Sequence, residues 1–511
     1  MSAFPEVNAA TIDRYEQPGP RYTSYPTVPE WNARFGSVEY AEKLAQAGRE
    51  GASSPLSLYF HLPFCRQMCA FCGCNVVVTR DSAKADEYLT HLDQELALAA
   101  ERLGDRRQVS QLHLGGGTPT FLSEEQLCRL WQAIGSHFSI KGDAELAVEV
   151  NPVVTSVRQL ALLRGFGFNR LSMGVQDFDR DVQTVIERNQ SFDLTAGMVA
   201  DARRIGFRGI NLDLVYGLPL QTGQKWERTL RRIIEIRPDR LAVYSFAYVP
   251  ELRPHQRRLP VESLPHGEAK LSLFRAAYNA FTDAGYQAIG MDHFALPDDE
   301  LAIAQDARTL WRNFQGYTIK AASDVIAFGI TGISDVQGAY AQNVRPLPQY
   351  FRATSEGRFP TVRGALLSQD DRRRRSVITD LMCNFWVDLG AEGLKYFAEE
   401  LEDLSKLERE GLLKPSRTEG NTRLYTEEDL QRLEFILNLA RDLGVNIAGI
   451  AIILQMRERM EEMNRKMQDF VRFVQEEVAH RASHAQADPS QGALVPLRKT
   501  TINMPFRDRK K

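Results

Sequence analysis

The segment SLYFHLPFCRQMCAFC, residues 57–72, combines a strand pattern with three closely spaced cysteines. Its first half is alternating and largely apolar, and Pro63 interrupts it, so we predict a strand followed by a loop that carries the cysteines. Cys65, Cys69 and Cys72 lie within eight residues of one another. A [4Fe–4S] cluster normally takes four cysteines, so three of them leave one iron open to another ligand. The spacing therefore predicts a catalytic iron–sulfur site.

A structural zinc site is the alternative for these cysteines, and their spacing argues against it. Structural zinc sites usually pair two ligand couples across a longer spacer, and the sequence has no second C-x-x-C. Cys74 follows Cys72 by only two residues, which is too close to wrap a cluster easily. We therefore predict Cys65, Cys69 and Cys72 as the metal ligands, without Cys74.

Several other segments accompany the cysteine motif and make it more specific. They are PGPRYTSYPT (18–27), HLGGGTPTFL (113–122), GVQDF (174–178), DLVYGLP (213–219) and NFQGYT (313–318). Together with C-x-x-x-C-x-x-C and the aromatic Phe71 before its last cysteine, they resemble the oxygen-independent coproporphyrinogen III oxidases. That family belongs to the radical S-adenosylmethionine (SAM) enzymes, and the resemblance covers about residues 10–412.

The composition permits such an enzyme. The 511 residues suffice for a large catalytic domain with smaller ones, and a net charge of −3 gives no general attraction to polyanions. Six cysteines, three of them in one loop, do not make a disulfide framework and favour a reducing compartment. The N-terminal residues lack a signal-peptide pattern, and the longest apolar run, Ile447–Leu454, is shorter than a membrane span. We therefore expect a cytoplasmic protein.

Strand patterns recur along the first half of the chain, with helical patterns such as 83–103 and 193–205 between them. This alternation predicts an α/β fold with a parallel sheet, and six units suit a partial TIM-type (β/α)6 barrel. The resemblance implies the same radical SAM barrel, followed by a helical C-terminal region. The predicted strands are Ser57–Leu62, Gln111–Leu114, Glu145–Val150, Arg170–Gly174, Gly209–Val215 and Arg240–Phe246.

Polar and glycine residues cluster at the ends of these predicted strands, where barrel enzymes place their chemistry. The cysteines follow the first strand, and 115–118, with three glycines, follow the second. Glu149, Gln176 and Asp213 lie at or near the ends of the next three. Because five successive strand ends carry such residues, we predict a single site at this end of the barrel.

The resemblance implies two SAM molecules in the barrel, one on the cluster and one beside it. The positions that match contacts to the first are Tyr59, Gly116, Glu149, Ala247 and Ile333. The positions that match contacts to the second are Phe71, Gly117, Thr118, Gln176, Arg188 and Asp213. Carboxylates suit a ribose or a sulfonium, because they accept hydrogen bonds and oppose positive charge. Ala247 and Ile333 rest on the resemblance alone, since core packing explains them equally well.

The resemblance also implies the reaction. An electron from a low-potential donor enters the cluster, SAM is cleaved, and the 5′-deoxyadenosyl radical takes a β-hydrogen from a propionate of coproporphyrinogen III. Loss of CO2 and one electron leaves a vinyl group, and two rounds give protoporphyrinogen IX. The cofactors carry this chemistry, so no catalytic side chain is assigned. Because arginine grips carboxylates bidentately, Arg21, with Tyr22 and Tyr25 beside it, is the predicted substrate contact.

The end of the chain departs from this family. Residues 414–454 resemble the wing, later helices and dimerisation region of MerR-type regulators, especially heat-shock repressors. The first two helices of a MerR-type DNA-binding domain are not recognisable, so we do not expect specific DNA binding. We predict five parts: a substrate-contacting arm (1–50), the radical SAM barrel and its extension (51–360), a shortened helical C-terminal domain (361–413), MerR-like wing and dimerisation helices (414–480) and a disordered basic tail (481–511).

A heptad seam follows the MerR-like segment. Its apolar residues alternate in spacings of three and four, with charged residues on the other faces, which predicts a coiled coil and thus a homodimer. A single helix docked on the barrel gives a similar pattern. Two other functions stay open: a DNA-binding regulator that uses the barrel as a sensor, and a haem chaperone related to the oxidase. The seam consists of Ile453, Met456, Met460, Met463, Met467, Phe470 and Val474.

Overall fold

The computed structural model describes residues 24–51, 53–319 and 322–386, together with short stretches between 407 and 467. One large sheet has twelve strands: β1 (Leu56–Leu62), β2 (Gln108–Gly116), β3 (Ser139–Val150), β4 (Arg170–Gln176), β5 (Gly209–Tyr216), β6 (Arg240–Ser245), β7 (Gln287–Gly290), β8 (His293–Ala295), β9 (Asp324–Phe328), β10 (Ile333–Val336), β11 (Ala339–Asn343) and β12 (Thr361–Leu366). The described α-helices in this part of the chain are α1 (Ser37–Glu50), α2 (Ala83–Leu103), α3 (Glu124–His137), α4 (Val157–Gly165), α5 (Arg180–Val185), α6 (Phe192–Ile205), α7 (Gly223–Ile236), α8 (Gly267–Asp283), α9 (Glu300–Asp306), α10 (Leu347–Ser355) and α11 (Gln369–Asn384).

The strands run in the order β12-β11-β10-β9-β1-β2-β3-β4-β5-β6-β8-β7. Strands β9 and β1 to β6 are mutually parallel, and the pairs at both edges of the sheet are antiparallel. Six parallel strands in chain order confirm the predicted (β/α)6 barrel. The predicted strands are all present, and β2 and β3 are longer than predicted. Residues 361–366, assigned from sequence to a helical domain, form strand β12 instead.

Alternation along each parallel strand separates the core from the barrel interior. Leu56, Leu58 and Phe60 of β1 are fully buried in the main hydrophobic cluster, which also includes residues of the surrounding helices. Ser57 and Tyr59, between them, line a cavity inside the barrel. Because successive side chains point to opposite faces of a sheet, apolar residues meet the helices and polar residues meet the cavity.

Local sequence signals fix where several barrel helices begin. Ser123 and Ser156 cap α3 and α4. The side chain of each serine accepts a hydrogen bond from the backbone amide of a glutamine three residues later, and the side chain of that glutamine accepts one from the backbone amide of the serine. Such a capping box satisfies amides that lack a partner within the helix. The side chain of Asp179 caps α5 by accepting hydrogen bonds from the amides of Asp181 and Val182. These caps set the directions of the helices that return from the cavity end of the barrel.

The described part of the predicted N-terminal arm packs on the sheet extension, which consists of the antiparallel strands β10 to β12. Trp31 stacks on Tyr340 of β11, with ring centroids 5.0 Å apart. The hydroxyls of Tyr40 and Ser334 lie 2.9 Å apart in a hydrogen bond. Residues from 24 to 50 are therefore part of the folded body, whereas the arm as predicted from sequence was a separate segment. Arg21 and Tyr22 lie outside the described residues.

The chain divides into two compact units, Met1–Lys395 and Tyr396–Lys511. In the second unit, two short strands, Ser416–Arg417 and Arg423–Leu424, pair antiparallel within the predicted wing. A small apolar cluster holds the described parts of this unit together; it consists of Leu407, Leu412, Leu413, Ile436, Leu439, Ile450 and Leu454. Phe470, Val474 and the predicted tail (481–511) lie outside the described residues. No helix in the described part of the chain is long and apolar enough to cross a membrane.

Candidate active site

A cavity of about 650 Å³ opens at the carboxyl ends of β1 to β5. The three predicted ligands Cys65, Cys69 and Cys72 lie on its wall. Eight of the eleven predicted SAM-contacting residues line the same cavity: Phe71, Gly116, Gly117, Thr118, Glu149, Gln176, Arg188 and Asp213. The strand ends therefore bring together most of the residues that the sequence assigned to one site.

The cysteine loop leaves β1 and is anchored to its surroundings by hydrogen bonds. The amide of Cys72 donates to the carbonyl of Cys69 over 3.2 Å, and the amide of Ala70 donates to the carbonyl of Ile186 over 3.0 Å. The thiol of Cys65 lies 3.5 Å from the hydroxyl of Thr118. The loop thus contacts both the end of α5 and the turn after β2, which orients the thiols toward the cavity.

The thiols differ in how readily they ionise. Burial raises the pKa of Cys65 to about 11 and also raises that of Cys69. A hydrogen bond from the thiol of Cys74 lowers the pKa of Cys72 to about 7. Because cysteines bind metals as thiolates, cluster assembly has to displace protons from Cys65 and Cys69. Among the described residues, no three His, Cys, Asp or Glu side chains form a site for a single metal ion.

Gly116, the last residue of β2, and Gly117, which follows it, bring the backbone close to the cavity. Gly116 has φ +111°, and a Cβ there would lie 2.7 Å from the His61 ring. A Cβ on Gly117 would lie 2.6 Å from the carbonyl carbon of Pro63. Because neither position has room for a side chain, any ligand beside this turn meets backbone amides and carbonyls.

Glu149 presents an ionised carboxylate at the cavity. Its Oε2 accepts a hydrogen bond from the amide of Gly116 over 3.1 Å, and its Oε1 lies 3.0 Å from Nε2 of His113. Burial alone would raise the pKa of this carboxyl, but the hydrogen bonds from His113 and Gly116 outweigh it and lower the pKa. Glu149 therefore offers negative charge beside the glycine turn.

Asp213 has the opposite electrostatic character. Burial raises its pKa to about 7, although a hydrogen bond from Nδ2 of Asn211, 2.7 Å long, partly opposes the shift. Asn211 also donates to the hydroxyl of Ser172 over 3.0 Å. The carboxyl is thus held on the barrel wall by a polar chain across β4 and β5, and a cation in the cavity would favour its charged form.

Arg188 and Gln176 complete this side of the cavity. Arg188 donates from Nε to the side-chain oxygen of Gln190 over 3.0 Å and also hydrogen-bonds to Cys69. Gln176 has φ 69°, which is uncommon for a residue with a side chain. A Cβ on Gly174 would lie 2.5 Å from the side-chain nitrogen Nε2 of Gln176. The end of β4 therefore directs Gln176 into the site.

Four residues assigned from sequence lie elsewhere. Tyr59 lines an adjoining cavity of about 180 Å³ deeper in the barrel, which shares Glu149 and Asp213 with the larger one. Ala247 is exposed on the segment after β6. Tyr25 and Ile333 line a separate cavity of about 30 Å³, so the structure does not bring the predicted substrate contact Tyr25 to the large cavity.

Sequence reasoning missed several residues that shape the site. Asn211 and His113 lie on the inner faces of β5 and β2, two residues before Asp213 and Gly115. The period of two along a strand predicts both placements. Arg66 and Arg180 line the large cavity. Arg66 could have been predicted to lie at the site, because it belongs to the cysteine motif. No sequence pattern indicated Arg180.

These residues fit a [4Fe–4S] cluster with a bound SAM. Three thiols on one wall, with an arginine beside Cys69, suit a cluster that leaves one iron free. The glycine turn exposes backbone where Cβ atoms would collide, and the carboxylates of Glu149 and Asp213 suit hydroxyls and a sulfonium. The donors and the space are therefore both present.

Two family models match the chain. One describes the radical SAM superfamily and matches residues 59–233. The other describes MerR HTH family regulatory proteins and matches residues 400–457. The second match begins ahead of residue 414, where the resemblance was recognised from sequence.

Individual proteins resemble the chain over most of its length. The oxygen-independent coproporphyrinogen III oxidase of Salmonella typhimurium is 44% identical over 411 residues, which are 79% of this chain and 89% of that protein. The protein of the same name from Escherichia coli is 43% identical over the same shares. The solved structure of coproporphyrinogen III oxidase (HemN) from Escherichia coli, a radical SAM enzyme, gives a TM-score of 0.72 at 41% identity and covers 81% of this chain and 95% of that one. The relatives and the cysteine-lined barrel agree with the prediction from sequence: this chain belongs to the family of oxygen-independent coproporphyrinogen III oxidases.

Proposed function

We propose that this protein catalyses the SAM-dependent oxidative decarboxylation of coproporphyrinogen III to protoporphyrinogen IX. Two propionate side chains would lose CO2 and become vinyl groups. Two observations together support the proposal. The chain is 44% identical to a named oxidase over 89% of that protein, and three cysteines line a cavity of about 650 Å³. The identity and coverage of the named oxidases favour this reaction over the DNA-binding and haem-chaperone alternatives.

The cluster would be held by Cys65, Cys69 and Cys72, and two SAM molecules would occupy the barrel. When bound, these groups supply one-electron cleavage of SAM and the radical that removes a β-hydrogen from a propionate. The chain's own residues orient and enclose the reactants. Glu149 and the glycine turn would hold the SAM on the cluster, while Arg188 and Asp213 would hold the second. A low-potential electron donor would supply the electron.

The substrate carries four carboxylates, and the cavity offers arginines for them. Arg66 and Arg180 line the large cavity, and both side chains are exposed to solvent there. A guanidinium grips a carboxylate through two parallel hydrogen bonds. We propose that these two arginines bind propionates that are not reacting. Arg21 and Tyr22 remain proposed contacts from the N-terminal segment, whereas Tyr25 lines the separate small cavity.

Replacing Arg180 by glutamine is expected to raise KM for coproporphyrinogen III by roughly tenfold, because hydrogen bonds to charged groups are worth about 1.5 to 3 kcal/mol. The KM for SAM should stay unchanged. Steady-state kinetics of the reconstituted enzyme measure both. Arg231→Gln, on the exposed surface of α7, is the matched control. An unchanged KM for the porphyrinogen would remove Arg180 from the proposed site.

The second unit would join two copies of the chain. Met456, Met460, Met463 and Met467 are exposed by 59 to 65% on one helical seam. Each large apolar side chain that becomes buried contributes roughly 1.5 to 3 kcal/mol. We therefore propose that the seam pairs with that of a second copy of the chain. This pairing does not require any contact with DNA.

Introducing charge into the seam is expected to prevent this pairing. The double variant Met460→Glu, Met467→Glu should sediment at the monomer mass, because charged side chains cannot be buried without a partner. Arg459→Glu, an exposed change outside the seam, should leave the mass unchanged. Analytical ultracentrifugation of the full chain makes the comparison. Equal masses for wild type and double variant would exclude the seam as a dimer contact.

The reaction is tested by anaerobic reconstitution of the full chain. With a chemical reductant, SAM and coproporphyrinogen III, the wild-type protein should form protoporphyrinogen IX and release two CO2 per substrate. Omission of SAM should abolish both products. If a protein with a full cluster forms neither product, the proposed function is wrong.

A further inference from the structure

The segment after β6, residues 246–259, hydrogen-bonds to the cysteine loop at three successive points. Gln256 donates from Nε2 to the carbonyl of Phe71 over 3.2 Å, and His255 donates from Nε2 to the carbonyl of Cys72 over 2.8 Å. Arg253 donates to the side-chain oxygen of Asn75 over 3.3 Å. We call residues 246–259 the tethering segment. It reaches the loop from the end of the sixth strand, far away in the sequence.

Gln256 is the centre of this contact. Its side chain is buried, with only 1% of its surface exposed, and all three of its hydrogen bonds go to backbone groups. The amide nitrogen donates to the carbonyls of Phe71 and Ala247, both over 3.2 Å, and the amide oxygen accepts from the amide of Val249 over 2.7 Å. Both hydrogens of the amide group are therefore used. An amide at this position joins the cysteine loop to the tethering segment.

The chemistry of the contact requires donors. The carbonyls of Phe71, Cys72 and Ala247 only accept hydrogen bonds, so a carboxylate in place of the Gln256 amide would face two acceptors. Apolar packing supports the same junction, since Ala70 of the loop shares a buried cluster with Phe246 and Leu259 of the segment. The opposite side of the loop is held by Ala70 through the carbonyl of Ile186. The loop is thus clamped from two sides.

We propose that Gln256 and His255 are positioning residues that preset the cysteine loop for its cluster. Neither lines the large cavity, so they act through the backbone of Phe71 and Cys72. Groups that orient metal ligands in this manner typically change metal affinity by about 10-fold to 100-fold when removed. The proposal rests on the proposed function only in naming the cluster as the group that the loop receives.

Hydrogen exchange of the cluster-free protein tests the tether without any catalysis. In Gln256→Glu, the peptide that covers residues 69–76 should exchange roughly tenfold faster, because two hydrogen bonds are replaced by repulsive contacts. Arg257 follows Gln256 in sequence and is exposed, so Arg257→Gln should leave the exchange of residues 69–76 unchanged. Peptides from α3 serve as an internal reference for global stability. Unchanged exchange of residues 69–76 in Gln256→Glu would overturn the proposal.

Cluster retention gives the second readout. After reconstitution, Gln256→Glu should lose iron to a chelator about 10-fold to 100-fold faster than wild type. It should also need more SAM to produce the SAM-dependent change in the electron paramagnetic resonance spectrum of the reduced cluster. His255→Gln keeps a donor of similar reach and should behave like wild type, whereas His255→Phe should resemble Gln256→Glu.

The outcomes separate this proposal from the proposed function. Faster exchange and iron loss in a protein whose wild type makes no protoporphyrinogen would support the tether and reject the reaction. Wild-type retention and SAM dependence in His255→Phe would overturn the role of His255. Circular dichroism shows whether Gln256→Glu folds. If it does not, exchange and iron loss are compared between His255→Phe and His255→Gln, because His255 is only half-buried.

Discussion

Replacing Cys65, Cys69 or Cys72 by alanine is expected to abolish cluster binding, with iron content falling to the background of the cluster-free protein. Each supplies one thiolate, and two remaining thiolates cannot hold a four-iron cluster. SAM cleavage should disappear with the cluster. Iron analysis and the visible absorption of the reconstituted protein measure the effect.

Cys74→Ala is the matched control for this series. Cys74 lies beside Cys72, and its thiol hydrogen-bonds to that of Cys72. Its replacement should therefore raise the pKa of Cys72 and slow cluster assembly at neutral pH, while the final iron content stays that of wild type. Loss of the cluster in Cys74→Ala together with its retention in Cys65→Ala would mean that the ligand set has been assigned incorrectly.

Asp213→Asn is expected to keep the cluster and lower turnover by roughly 100-fold, the loss typical of a misplaced reactant. Asparagine preserves the shape of the side chain but removes the charge that would face a bound SAM. Turnover and the spectrum of the reduced cluster, measured on the same sample, separate catalysis from assembly. Wild-type turnover would exclude Asp213 from the reaction.

The same substitution should stabilise the cofactor-free protein, by an amount that depends on pH. Burial raises the pKa of Asp213 from 3.8 to about 7. Below the lower value the carboxyl is protonated in both folded and unfolded states, so it imposes no penalty. As the pH rises toward 7 the unfolded state is favoured, and the penalty is complete above that value. The Tm gain of Asp213→Asn should therefore be larger at pH 8 than at pH 4, by about 2 °C or more.

Sequence patterns predicted the six parallel strands β1 to β6 well because each carries a strong local signal. In β1, apolar residues alternate with cavity-facing ones, and Pro63 ends the pattern. Strands β7 to β12 were not predicted. They are short, and one of them, Asp324–Phe328, is buried at every position. A continuous buried run shows no period of two, so it does not stand out as a strand.

The residues at the strand ends could be predicted because parallel strands bring their carboxyl ends to one edge. Glu149 and Asp213 confirm this, since both line the large cavity. Tyr25 and Ile333 could not be placed from sequence. Ile333 belongs to strand β10, and Tyr25 lies in the N-terminal segment, and their common cavity depends on contacts between residues far apart in sequence. Gln256 was missed for the same reason: its partner Phe71 lies 185 residues away, and an isolated glutamine carries no pattern.

The most direct test of the proposed reaction follows one atom. Coproporphyrinogen III deuterated at the β-carbons of its propionates is incubated anaerobically with the reconstituted full chain, SAM and a reductant. The account predicts that the 5′-deoxyadenosine formed contains deuterium while vinyl groups appear on the porphyrinogen. Unlabelled 5′-deoxyadenosine from a protein with a complete cluster, with all four propionates left intact, would contradict it.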